Sequence, residues 1–339
     1  MKSAYSVKRV EYFDFLRGFA IVMVVAIHTF GEVYTYSNIS FLAVLLRQIL
    51  NCAVPIFCVS SAFFLIKKEV QGGGLKKRIL KVYIPLLVFS FLYLINDLMH
   101  NRDFIKSLLK FLVGGYSVYY FVALIIQFYV LLPLFRKYRI VRNPFISGLV
   151  SLLWVSLYTY VIRPIHPLPL LLYGGPVWCF IVYFSLGSTF QLDNLKERVN
   201  LQVCCIIACV MLIISCLESY FIMGMTNSLT GVGLKPSVVL FSIFVCAILY
   251  SDTCSASFSE SALTKHLSKL GRYSYGIYLL HMYCLWLVSK FIIKTGFTIS
   301  DYRLFWWLVY TLAVLYLSYV VLWGAKRIQP KVSRVCLGV

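Results

Sequence analysis

Ten apolar runs constrain this chain more than any other feature. They fall at about 13–33, 41–66, 82–99, 117–135, 145–162, 176–190, 201–222, 236–250, 273–293 and 304–323. A hydrocarbon layer of about 30 Å is crossed by about 20 helical residues. Inside it, backbone N–H and C=O groups can be satisfied only within helices or closed barrels. Each run is long enough, or nearly so, to span as a helix; 176–190 and 236–250 are the shortest. Pro, Gly and polar clusters separate them: Gln71-Gly72-Gly73-Gly74, Arg142-Asn143-Pro144, Gly174-Gly175-Pro176 and Gly231 to Pro236. Over 339 residues the chain is 61% hydrophobic and 13% charged, whereas a soluble globular chain carries about 25% charged residues. Its apolar and aromatic content also excludes disorder. The expected fold is an all-α polytopic membrane protein of about ten transmembrane helices, a single integral-membrane domain over 1–339.

The formal charge of +20 would suggest nucleic acid in a soluble chain, but here it reports orientation. With the N-terminus in the cytoplasm, segments 1–12, 67–81, 136–144, 191–200, 251–272 and 324–339 hold 22 of the 32 Lys and Arg residues. The alternate segments hold 8, and Arg17 and Arg47 lie inside runs. Both termini are therefore expected in the cytoplasm, with an even number of spans. The first run lacks a small-residue cleavage site and carries Asp14, Arg17 and His28, so it is not a signal peptide. Segment 103–112 sets Phe104, Leu108 and Phe111 on one face and reads as a helix on the outer interface. The eleven cysteines form no C-x-x-C pair and read as buried free thiols. No His or carboxylate pair has metal-ligand spacing, so no metal is expected.

Ionisable groups inside a span are costly, about 2.5–3.5 kcal/mol at the helix centre. Arg17 and His28 lie eleven positions apart, which brings them onto one helix face about 16 Å apart along the axis. Glu32, at i+4 from His28, is a candidate to orient or charge the imidazole. Each also has a plainer reading. Arg17 can snorkel towards headgroups with Asp14 as partner, and His28 can be a hydrogen-bonded core histidine. The cluster Lys76-Lys77-Arg78-Ile79-Leu80-Lys81 is either a stop-transfer signal facing anionic lipid or a phosphate clamp, with Arg78 and Lys81 on one face. His281, His100 and His166 read as packing or interface residues, and His266 as solvated. Towards the outer face, Glu32, Asp97, Glu218, Trp154, Trp178, Tyr116, Tyr119 and Tyr120 form either an aromatic belt or carboxylates and rings that hold a sugar.

Taken in order, these residues resemble a known pattern. Arg17-x10-His28, preceded by Tyr12-Phe13-Asp14-Phe15-Leu16, resembles the opening motif of membrane acyltransferase family 3, bacterial O-acyltransferases acting on surface glycans. Val54-Pro55-Ile56-Phe57-Cys58-Val59-Ser60-Ser61-Ala62-Phe63 is similar to that family's Val-Pro-x-Phe-Phe-x-x-Ser-Gly-Phe, with Ala62 at the usual Gly. Arg78-x-x-Lys81 before Pro85 resembles its Arg-x-x-Arg, with Lys in second place. Tyr120-Phe121, Tyr129 and Pro133 resemble a Trp-Phe…Tyr…Pro run, and Gly271 to His281 its Gly-x-x-Ser-Tyr-x-Ile-Tyr-Leu-x-His segment. The similarity covers about residues 9–290.

The resemblance implies a membrane enzyme of the bacterial inner membrane that moves an acyl group, acetyl foremost, from cytoplasmic acyl-CoA. The acceptor it implies is a hydroxyl of a surface polysaccharide or lipid-linked sugar. His28 would be general base, with an acyl-imidazole relay as a variant, alongside Arg17 and Glu32. Lys77, Arg78 and Lys81 would bind the donor's phosphates, with no metal and no nucleic acid. Lysine at 81 grips phosphate as a point charge rather than bidentately. Two other readings stand beside this one: a polysaccharide exporter or transporter component, and a non-catalytic membrane ligand-binding module.

Overall fold

The computed structural model describes residues 2–67, 74–116, 118–192, 199–295 and 302–339. Gln71 to Gly73 of the first separator, and parts of segments 191–200 and 290–303, lie outside the described residues. Every regular element among the described residues is helical. In chain order they are α1 (Lys2–Val33), α2 (Phe41–Leu50), α3 (Ala53–Lys67), α4 (Gly74–Met99), α5 (Phe104–Val113), α6 (Tyr120–Lys137), α7 (Pro144–Leu157), α8 (Arg163–Ile165) and α9 (Leu170–Tyr173). They continue as α10 (Ile181–Leu192), α11 (Leu201–Thr226), α12 (Pro236–Leu249), α13 (Asp252–Ala256), α14 (Ala262–Arg272), α15 (Ser274–Lys294) and α16 (Arg303–Ile328). Nine stretches among the described residues are long and apolar enough to cross a membrane, with α10 a shorter apolar helix beside them. The chain is thus an all-α polytopic membrane protein.

Local chemistry sets the helix starts. Side chains of Ser40, Asp103, Asn143, Asn200 and Ser261 accept from the backbone N–H groups of Ala43, Lys106, Phe145, Val203 and Thr264, each satisfying an otherwise orphaned donor. The span Phe41–Ile66 breaks between α2 and α3 at Asn51 and Cys52. Pro55 sits one turn further on and has no N–H to donate back to Asn51. Helix α5 ends on Gly114, whose φ of 70° is left-handed. Of the α5 face Phe104, Leu108 and Phe111, Phe104 is exposed while Leu108 and Phe111 are half-buried, Phe111 against Phe91; Ile105 and Leu109 are exposed beside them.

The expected run 176–190 is displaced: a short turn at Val177–Cys179 precedes α10. Twelve residues rise only about 18 Å, short of a hydrocarbon layer of about 30 Å, and irregular backbone leads into them. Such backbone is tolerated at depth only where protein satisfies it, and here side chains do so. Gln127 donates to the Gly175 carbonyl and accepts from Val177 N–H. Trp154 donates to Tyr173 O, and Ser151 to Trp178 O.

Helix α1 occupies the centre, packed against α3, α14, α15 and α16. At one end, Tyr12 donates to Leu249 O, Arg136 to the carbonyls of Leu65 and Ile66, and Ser185 to Val141 O. The described parts of four Lys- and Arg-rich segments meet at this basic end, where Lys81, Arg272 and Gly338 share one lining and Leu75, Arg136 and Lys137 another. The turn Ser333–Leu337 and Gly338 fold back there onto Tyr275 and Gly276 of α15. At the far end Glu32 meets Ser289 and Gln48 meets Val232. Outward-facing α11 exposes Val203, Ile206, Ile213, Leu217 and Phe221, the surface that lipid would cover.

Candidate active site

Two cavities lie along α1, and Tyr278 of α15 lines both of them. The basic-end cavity, about 460 Å³, is lined by Arg17, Asp14, Lys81, Arg272, Ser61, Phe121, Tyr129, Ser274, Tyr275 and Gly338, among others. The far cavity, about 210 Å³, is lined by His28, Arg47, Asn51, Val118, Tyr120, Tyr173, Tyr183, Gly233 and Leu234, among others. The phenol of Tyr278 donates to Val118 O, which fixes the ring as a partition.

The eleven-residue spacing of Arg17 and His28 puts one residue in each cavity. Arg17 ion-pairs with Asp14 at 3.4 Å and lies 5.2 Å from the centre of the Phe64 ring. The Asp14 partnership foreseen for a snorkelling arginine is therefore made, yet the guanidinium also lines the basic cavity. Lys81 lines it from α4. Arg78 shares with Arg17 the electrostatic neighbourhood of Tyr129, and its Nη1 is buried with no hydrogen-bond partner. Lys77 is exposed and does not line the cavity. Arg272, at the end of α14, is a third cation on the lining that sequence reasoning did not single out.

His28 faces a second imidazole. Its ring centre is 5.2 Å from that of His281, with the planes at 44°. His281 is fully buried, and its Nδ1 lies 2.6 Å from Tyr278 O. A carbonyl accepts only, so Nδ1 carries the proton and Nε2 is left as an acceptor. That Nε2 is buried and unpartnered. The charged neighbour of His28 is Arg47, whose guanidinium donates to Asn51 Oδ1.

Glu32 is placed elsewhere. It is exposed, accepts from Ser289 at 2.7 Å and lines a separate groove with Tyr93, Asn96 and Trp286. The i, i+4 spacing puts it one turn from His28 but rotated by about 40°, and Ser289 captures it. The other carboxylates considered for a sugar are also committed. Asp97 takes Arg102, Ser107 and Tyr116, and Glu218 takes Tyr160 and the Ser237 N–H. Tyr116, outside the spans, has its phenol pushed up to about 12 by burial and by the Asp97 carboxylate it bonds. His266 is exposed, as expected of a solvated residue, and also bonds Tyr316 at 2.7 Å.

His281 and Arg47 are the residues that spacing did not reveal. His281 is a lone histidine on an apolar helix, and Arg47 a lone arginine within a broken span. Only the packing of α2 and α15 around α1 joins them to His28.

An all-α membrane bundle with a half-buried histidine on one cavity, backed by the fully buried His281, and a cluster of cations on the next defines a class: polytopic membrane proteins that hold ionisable groups in their interior. The comparison with protein families is more specific. The family model described as an acyltransferase domain, Acyl_transf_3, matches residues 10–323, and the chain belongs to that family. No curated protein and no solved structure matched the chain.

Proposed function

We propose that this chain transfers an acyl group, acetyl foremost, from cytoplasmic acyl-CoA to a hydroxyl of a surface polysaccharide or lipid-linked sugar. Its membrane would be the bacterial inner membrane, with the basic end in the cytoplasm as the Lys and Arg distribution favours. One observation carries the reading. In a chain of the acyltransferase family, a cation-lined cavity at the basic end is separated by one tyrosine from a cavity holding His28.

The donor's phosphates bind Arg17, Lys81 and Arg272, with Arg78 and the exposed Lys77 adding to the field. The acyl thioester reaches past Tyr278 towards His28. His28 takes the proton of the acceptor hydroxyl as its oxygen attacks the thioester carbon. The carbon–sulfur bond then breaks, and the proton passes to the leaving thiolate, giving free CoA thiol and an acyl ester. His281 is a positioning residue: its bare Nε2 is available to accept from the His28 ring, leaving the other His28 nitrogen basic towards the cavity. Glu32 is assigned no proton; bound to Ser289, it joins the far ends of α1 and α15.

The test is the acyl content of the host's surface glycan, measured by mass spectrometry and NMR. His28→Ala is expected to abolish it while the protein stays in the membrane. Normal acyl content in that strain would remove His28 from catalysis.

A further inference from the structure

The far cavity has an unbalanced charge. Arg47 is 7% exposed and lines the cavity beside His28. A guanidinium carries five N–H donors, and among the described residues the one hydrogen-bond acceptor it meets is Asn51 Oδ1. The Phe30 ring lies 6.0 Å from Cζ to its centre, and Tyr120 and Tyr173 of the cavity wall are also neighbours. Lys235, fully buried behind the wall formed by Gly233 and Leu234, donates to Gln48 Oε1 at 2.6 Å, Ser219 Oγ at 2.9 Å and Gly231 O at 3.1 Å, all neutral acceptors. Arg163, 8% exposed, donates to Thr230 O at 3.4 Å and lies over Tyr158. Tyr158 stacks on Tyr173 of the cavity wall, which shares the neighbourhood of both arginines.

Against these three cations stands Glu218, whose oxygens are taken by Tyr160 and Ser237. No carboxylate lines the cavity among the described residues. Burying an ion without a counter-ion costs several kcal/mol, and such residues at membrane depth mark ligand paths. Walls of low dielectric and one sign of charge focus the field into the space they enclose.

We infer that the far cavity binds an anionic ligand, a sugar carrying a carboxylate or phosphate, with Arg47 as the residue that holds the anion. This rests on the acyl-transfer reading only in naming that sugar as the acceptor. Binding can be measured without turnover, so the two fail separately.

The test is equilibrium binding to purified full-length protein in nanodiscs of zwitterionic lipid. Three probes share one tail and ring: n-decyl glucoside, n-decyl glucuronide and the decyl ester of glucosyl phosphate. At least one anionic probe is expected to bind tenfold or more tightly than the glucoside. Which of the two does so distinguishes carboxylate from phosphate. Arg47→Gln is expected to bring the ratio close to one, and Arg47→Lys to keep part of it. Equal affinities, no measurable binding of any probe, or a ratio unchanged in Arg47→Gln would overturn the inference. So would an Arg47→Gln protein that binds all three as wild type does but turns them over equally poorly, because that pattern assigns the guanidinium to the transition-state oxyanion.

Discussion

Lys235 shows how an expensive residue is kept in the fold. Its ammonium joins α12's start to Gln48 of α2 and Ser219 of α11. Gln48 in turn accepts from Asn51, the partner of Arg47. Lys235→Ala strips a charged donor from Ser219 and Gly231, at a cost of about 1–3 kcal/mol. A lower thermal midpoint in detergent should reveal it; an unchanged midpoint would show the ammonium to be structurally idle. His281→Ala should lower kcat by about 10²-fold, at the weak end of acid–base effects, and leave the donor KM unchanged. A rise in KM with kcat preserved would make His281 a packing residue. Of these side chains, the sequence displayed Arg17 and His28 because both stand on one helix, where spacing gives geometry. Arg47 and His281 come from other helices, and their approach to His28 is a tertiary fact. Glu32 went the other way: a correct helical neighbour drawn off by a serine 257 positions along the chain.

Close helix approach explains the glycines that matter. A Cβ on Gly18 would overlap the Leu267 carbonyl, and one on Gly271 the Asp14 carbonyl, so α1 and α14 meet backbone to backbone. Gly18→Ala and Gly271→Ala must part the two helices and should each destabilise by about 1–3 kcal/mol, as overpacking does. Gly271 and Arg272 also line the basic cavity, so donor KM should rise in Gly271→Ala measured on the folded fraction; an unaltered stability and KM would contradict this contact. Ala62, where the resembled family has glycine, abuts Gly187 of α10: a Cβ added to that glycine would stand 2.7 Å from the Ala62 Cβ. The small residue has been supplied from the opposite helix. Helices were legible wherever a run was long and apolar, since lipid leaves the backbone few alternatives. The stretch around 176–190 was not, because its irregular start is held by Gln127, Ser151 and Trp154, which no local pattern connects to it.

At the scale of the whole molecule, most of the Lys and Arg residues fall in alternate segments of the sequence, and the smaller share inside the bundle is divided between two cavities. Arg17, Lys81 and Arg272 belong to one, and Arg47 to the other. Tyr278 lines both, with His28 on its far side, and in the proposed function the two cavities form one path from the basic end to the far end. The most direct test is transfer across a sealed membrane. Protein is reconstituted in proteoliposomes with labelled acetyl-CoA on the side of the basic end and n-decyl glucuronide or glucoside on the other. Acyl ester is expected on the far-side probe with wild-type protein and none with His28→Ala. Transfer only when donor and acceptor share one side, or equal transfer by His28→Ala, would contradict the account.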